Sequence, residues 1–137
     1  KVMKTFALTG VTASNIHLTD FRRKDFEREG CWSYRQLEAL TRLAPPEQRR
    51  RLARSRGRVK AGGIVADGLR MPESANGTAF VMLDDRAGQV NVTIPPELAE
   101  AAKAVVQQGL YLVVEGRFRP NGNVISIVAE SFRELSG

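Results

Sequence analysis

One cysteine and one histidine are all that this 137-residue chain offers to a disulfide or a metal. Cys31 has no partner for an internal disulfide, and Cys31 with His17 cannot complete a Cys/His zinc site. No stretch approaches the roughly 18 apolar residues a membrane helix needs. The N-terminus lacks the succession of charged start, apolar run and small-residue cleavage site that marks a secretory signal. These absences argue for a cytoplasmic chain with no membrane partner, no metal and no cofactor. Catalytic sets are equally sparse. A single histidine in the lead-in supports no Ser/His/Asp arrangement, and no glycine-rich loop carries a strand into a helix. The paired carboxylates Asp84 and Asp85 run straight into Arg86-Ala87-Gly88, where Asp is favoured for capping its own backbone. The chain is therefore expected to be a non-enzyme, with no catalytic residue to name.

A hydrophobic content of 42% can support a real core in one domain of ordinary size. The formal net charge is +6, but its location says more than its total. Residues 1 to 57 carry 13 Lys/Arg against 6 Asp/Glu, whereas residues 58 to 137 carry 8 against 9. If the second part binds a polyanion, it does so with locally arranged arginines and lysines rather than bulk charge. The first residue is Lys1, not Met, which suggests trimming or excision from something longer.

The chain divides by period into a basic, partly helical lead-in over 1–57 and a β domain over 58–137. Residues 1–19 have no sustained period and read as irregular. Asp20 can cap a helix over 20–29 carrying Phe21 and Phe26, with Gly30 at the position of a helix-ending glycine. Ser33 and Gln36 have capping-box spacing for a second helix over 34–43, whose apolar stripe is Leu37, Leu40 and Leu43 or Ala44. Pro45 and Pro46 end it, and a final basic helical turn is expected before Gly57. From Val59 the period becomes two. Strands are expected over 58–70, with a bulge at Gly62-Gly63, and over 79–85 and 89–94, joined by a tight turn in which Gly88 supplies a positive φ. Pro95 precedes a helix ending at Gly109, and two more strands, 110–119 and 124–130, flank the turn 120–123. The order β-β-β-α-β-β with a bent first strand is that of a mainly β, five-stranded OB-fold barrel.

Oligonucleotides on such barrels cross the second and third strands, between the loop joining strands one and two and the loop joining strands four and five. Strand parity then selects residues. With Val81, Leu83, Val90, Val92 and Ile94 inward, the outer face carries Phe80, Met82, Gln89, Asn91 and Thr93. An outward Phe beside amides is a stacking platform for single-stranded bases, although the same ring can instead cap the barrel or pack under loop 71–78. Arg58, Lys60, Arg70, Arg117 and Arg119 are the cations that alternation can bring near this face for phosphate contacts, with solvated strand charge as the plain alternative. Asn76, Asn121 and Asn123 read as turn formers. The run RRRLARSR over 49–56 suits either a nucleic-acid backbone or a solvated helix face and tether.

The stretch RVKAGGIVADGLRMPESANGTAFVMLDDRAGQVNVTI resembles the OB region of bacterial C-family DNA polymerases, and the tail LYLVVEGRFRPNGNVISIVAESFREL is similar to the end of that region. Within the family, LTGVTASNIHLTDFRRKDFEREG resembles the segment before the barrel in the error-prone branch, with Leu18 where a proline is usual. Lys60-Ala61-Gly62-Gly63 departs slightly from the usual Val-Ala-Gly. The barrel pattern also resembles the anticodon-binding domains of class II aminoacyl-tRNA synthetases. The polymerase resemblance implies a non-catalytic module of an error-prone, polymerase III alpha-like enzyme. Such a module holds single-stranded template DNA during replication and translesion synthesis in the bacterial cytoplasm, near the nucleoid. It also implies docking of polymerase accessory proteins, and a chain ending soon after the last strand fits the error-prone branch. A protein-interaction barrel and an anticodon-binding barrel remain the alternatives.

Overall fold

A computed structural model describes residues 23–42, 44–108 and 111–135. Among these, three short helices precede a barrel: α1 (Arg23–Arg28), α2 (Tyr34–Leu40) and α3 (Pro46–Arg54), then β1 (Arg58–Arg70), β2 (Ala79–Asp84), β3 (Gln89–Ile94), α4 (Pro96–Gln108), β4 (Tyr111–Phe118) and β5 (Ser126–Glu134). The strands close in the order β1-β2-β3-β5-β4, with β3 and β5 parallel and every other pair antiparallel. This is the five-stranded OB barrel that the change of period implied.

Closure depends on β1 serving two neighbours. Its first half, Arg58 to Ile64, pairs with β4, and from Ile64 onward it pairs with β2. The bend was expected as a bulge at Gly62-Gly63, but those residues keep unbroken register with Val113 and Leu112. The irregularity lies between Ala66 and Arg70, where Asp67 and Gly68 adopt φ of 61° and 71°. The two earlier glycines answer close approaches instead. The Phe26 ring lies where a Gly62 Cβ would be, and a Cβ on Gly63 would stand 2.7 Å from the Asp84 carbonyl oxygen. Gly88 is likewise not a positive-φ residue. Arg86 takes that role at 73°, and Gly88 lacks a side chain because the Tyr34 ring lies against it.

Side chains from the lead-in complete the core. Trp32 and Leu37, 4% and 0% exposed, belong to the same apolar cluster as Val59, Val81, Leu83, Val92 and Ile127. Trp32 also makes a parallel bridge to Ala61, its N–H donating to the Lys60 carbonyl at 2.8 Å. Arg51 lies over the Trp32 ring at 4.2 Å and donates to the Gly30 carbonyl at 2.7 Å, a cation–π contact that ties α3 to the segment between α1 and α2. Outside the barrel, Phe26 covers Ile64, Val113 and Leu135.

Local chemistry sets the ends of the elements. Ser33 and Gln36 form the expected capping box on α2, whose C-cap is Thr41. Leu37, the only buried residue of α2, points into the core. Gly30, at φ 84°, closes α1 with the Cys31 N–H donating to the Phe26 carbonyl. In place of one basic turn, 46–54 forms a nine-residue helix, because Pro46 suits a first helical position and Leu52 finds the core to pack against. Strand β2 stops one residue early, since the Asp85 carboxylate is taken up by the turn. Strand β5 begins later and runs longer than 124–130. Val124 is held in a two-way bridge with Asn121, and β4 offers pairing as far as Leu112. The irregular reading of 1–19, the capping role of Asp20, and Phe21, Leu43, Gly109 and Leu110 lie outside the described residues.

Candidate nucleic-acid interface

Strand parity holds along the central hairpin. Val81, Leu83, Val90, Val92 and Ile94 are buried, whereas Phe80, Met82, Asn91 and Thr93 are half-buried and Gln89 is exposed on the opposite face. Phe80 is half-buried on the outer face and lies outside both apolar clusters formed by the described residues.

The cross-strand register shows which outward residues are neighbours. Arg70 is the Cα partner of Phe80, Phe80 of Thr93, Thr93 of Val128, Val128 of Arg117, and Arg117 of Arg58. Cα partners share a sheet face, so an aromatic ring, a hydroxyl and three guanidinium-bearing residues form one belt around the outside of the barrel. A second row runs Ala66, Met82, Asn91 and Ser126, and the Arg119 N–H donates to the Ser126 carbonyl at 2.8 Å. Gln89 stands opposite Asp84 one row further along.

The cations differ in what holds them. Arg70 and Arg119 are exposed and carry no side-chain hydrogen bond or ion pair among the described residues. Arg58 Nε lies 2.6 Å from Glu130 Oε1, and Arg117 Nε lies 3.6 Å from Glu130 Oε2. Glu130 reaches both because it is the unmatched residue of a bulge: β5 pairs Ala129 with Gly116 and Ser131 with Glu115, leaving Glu130 between them. Lys60 stands apart from both rows, opposite Glu115, and its Nζ donates to the Glu29 carbonyl at 3.1 Å.

Ser126 and Val128 join this face although the residues alone did not single them out. Their position follows from the parallel β3–β5 pairing, which the five-stranded OB order would have supplied. Met71 and Val124, 39% and 45% exposed, lie in the two loops at the edges of the face. Asn76, in the left-handed region at φ 53°, and Asn121, bridged to Val124, act as turn formers. Among the described residues no helix is long and apolar enough to cross a membrane.

The family model described as "OB-fold nucleic acid binding domain" matches residues 56–135, the barrel that carries these rows. The chain belongs to that family. Relatives of this OB-fold chain include two proteins named error-prone DNA polymerase. The one from Caulobacter vibrioides is 36% identical over 103 residues, covering 75% of this chain and 9% of that protein. The one from Anaeromyxobacter dehalogenans strain 2CP-C is 33% identical over 118 residues, covering 82% and 10%. The chain thus spans about a tenth of the curated relatives it matches. Among solved structures, the SSB domain of a Synechococcus protein is similar with a TM-score of 0.48 at 15% identity, over 57% of this chain and 94% of that one.

Proposed function

We propose that this OB-fold domain is a non-catalytic module of an error-prone DNA polymerase and binds the single-stranded template in the bacterial cytoplasm. The observation that carries the reading is the belt Arg70, Phe80, Thr93, Val128, Arg117, Arg58. Bases stack on the Phe80 ring, a contact that tolerates any sequence because every base has a π-face. Asn91, Thr93 and Gln89 offer amide and hydroxyl groups to base edges and sugars, with Met82 packing beneath. Arg70 and Arg119, unpaired at opposite edges of the face, take phosphates, and Arg117 and Arg58 extend the path. Phosphate contacts add affinity without sequence information, which suits a template holder. Polymerase accessory proteins are further partners under this reading.

Fluorescence anisotropy of a labelled single-stranded oligonucleotide, titrated with the chain over a range of salt, tests the reading. Saturable binding at low salt that weakens linearly in log–log form is the expected result. No saturable binding at any salt would discard it. A preference for a structured anticodon stem–loop over unstructured DNA would replace it with tRNA recognition.

A further inference from the structure

Helix α3 carries the most basic stretch of the chain, and its packing sorts the arginines. Gln48, Arg51, Leu52 and Ser55 are half-buried toward the barrel, whereas Arg50, Arg54 and Arg56 are exposed. Those three have no side-chain hydrogen bond or ion pair among the described residues, unlike Arg49, which donates to the Ala44 and Arg42 carbonyls, and Arg51, which lies over Trp32. Positions 50 and 54 are one helical turn apart on a single face.

The C-terminal end of α3 abuts the far end of the belt. Ser55 Oγ donates to the Arg58 carbonyl at 2.6 Å, and Arg117 Nη1 donates to the Arg56 carbonyl at 3.4 Å. Arg50, Arg54 and Arg56 thus lie along and just after a helix whose end meets Arg58 and Arg117, the two arginines paired with Glu130. Three exposed cations stand beside the end of the belt, where two more arginines lie. Their charge complements a polyphosphate chain.

We propose that α3 is a second phosphate-binding track, on which Arg50, Arg54 and Arg56 receive the sugar–phosphate backbone of the same nucleic-acid strand after it leaves the Phe80 face past Arg117. The track extends the site without reading bases. It rests on the reading of the belt as a single-strand path, and the occupied length of the strand separates the two.

The test compares the 137-residue chain with the variant Arg50→Gln/Arg54→Gln/Arg56→Asn, the asparagine being chosen because residue 56 has φ 59°. The probes are labelled oligothymidylates of about 8 and about 20 nucleotides, the shorter within the range one OB barrel occupies. The triple variant should bind the short oligonucleotide as the parent does. On the long one it should bind more weakly and lose about 2 from the log–log salt slope, at roughly 0.7 per phosphate contact on a single strand. Unchanged circular dichroism and melting temperature establish that the variant folds. Equal affinity and slope on the long oligonucleotide would overturn the track and leave the Phe80 face standing. Loss on the long oligonucleotide with Phe80→Ala inert would keep the track and discard the face. No binding by the parent chain would discard both.

Discussion

Asp85 Oδ2 accepts the backbone N–H of Tyr34 at 2.6 Å, joining the first turn of α2 to the β2–β3 hairpin. The other carboxylate oxygen accepts the N–H groups of Ala87 at 2.9 Å and Gly88 at 3.1 Å, and the Asp85 carbonyl accepts from Arg23 Nη2. One side chain, 5% exposed, thus shapes the hairpin turn and fastens the lead-in across it. Asp85→Ala leaves three N–H groups without this partner and should cost about 4 kcal/mol or more, since hydrogen bonds to a charged acceptor are each worth roughly 1.5 to 3. Urea denaturation measures it. A loss no larger than that of an ordinary surface substitution would show that the α2 attachment is not maintained in solution.

Phe80→Ala should separate binding from folding. The ring sits outside the apolar clusters, so the loss of stability should stay near 1 kcal/mol, whereas Leu83→Ala, which empties a fully buried site, should cost about 2 to 5. Oligonucleotide affinity should fall by about 1 to 3 kcal/mol for the loss of one base stack, roughly 5- to 150-fold. Thermal melts and anisotropy titrations on both variants check the contrast.

Glu130 engages Arg58 and Arg117 through two ion pairs whose side chains are about 40% exposed. Solvated pairs of this kind contribute little to stability. Glu130→Gln removes a negative charge from the belt and frees two guanidinium groups. Binding of single-stranded DNA should tighten, with a steeper salt dependence, while the melting temperature changes by a few degrees at most. A weaker or salt-indifferent complex would mean that the strand does not pass Arg117.

Burial pushes the Cys31 thiol up from its ordinary 9.0 to about 11, although Lys60 and Arg51 pull it back. The folded protein should therefore react slowly with iodoacetamide near pH 8, and unfolding should release the ordinary rate. The linkage has a definite sign. Between about pH 9 and 11 the unfolded chain gives up this proton while the folded chain keeps it, so the contribution of Cys31 to stability is full below 9 and lost as pH rises through 11. Comparing the pH dependence of unfolding with that of Cys31→Ser isolates this thiol from other groups titrating in the same range. Parallel curves would contradict the buried setting.

Much of the barrel and part of its face are legible in the residues. Alternation over 79–84 and 89–94 is a purely local pattern, and a period of two leaves a strand one way to turn its aliphatic side inward. Gly30 and the Ser33–Gln36 box are also local signals, each acting within four residues. What misled were glycines whose cause lies far along the chain. Gly62 and Gly88 look like backbone devices, yet they are vacant for the rings of Phe26 and Tyr34, and no short-range pattern announces a ring arriving from another element.

The arginines show the same division. Alternation puts Arg58, Arg70 and Arg117 on outward positions, as their belt confirms geometrically. Whether each is free was decided by a bulge on β5 that turns Glu130 toward two of them, and by a carbonyl at Glu29 that takes Lys60. Secondary structure and inside–outside choice thus came from nearest neighbours, because backbone periodicity is set there. Which charges are spent, which glycines are crowded and that Trp32 and Leu37 help fill the barrel core were settled only when distant segments met, because ion pairing and packing depend on proximity in space.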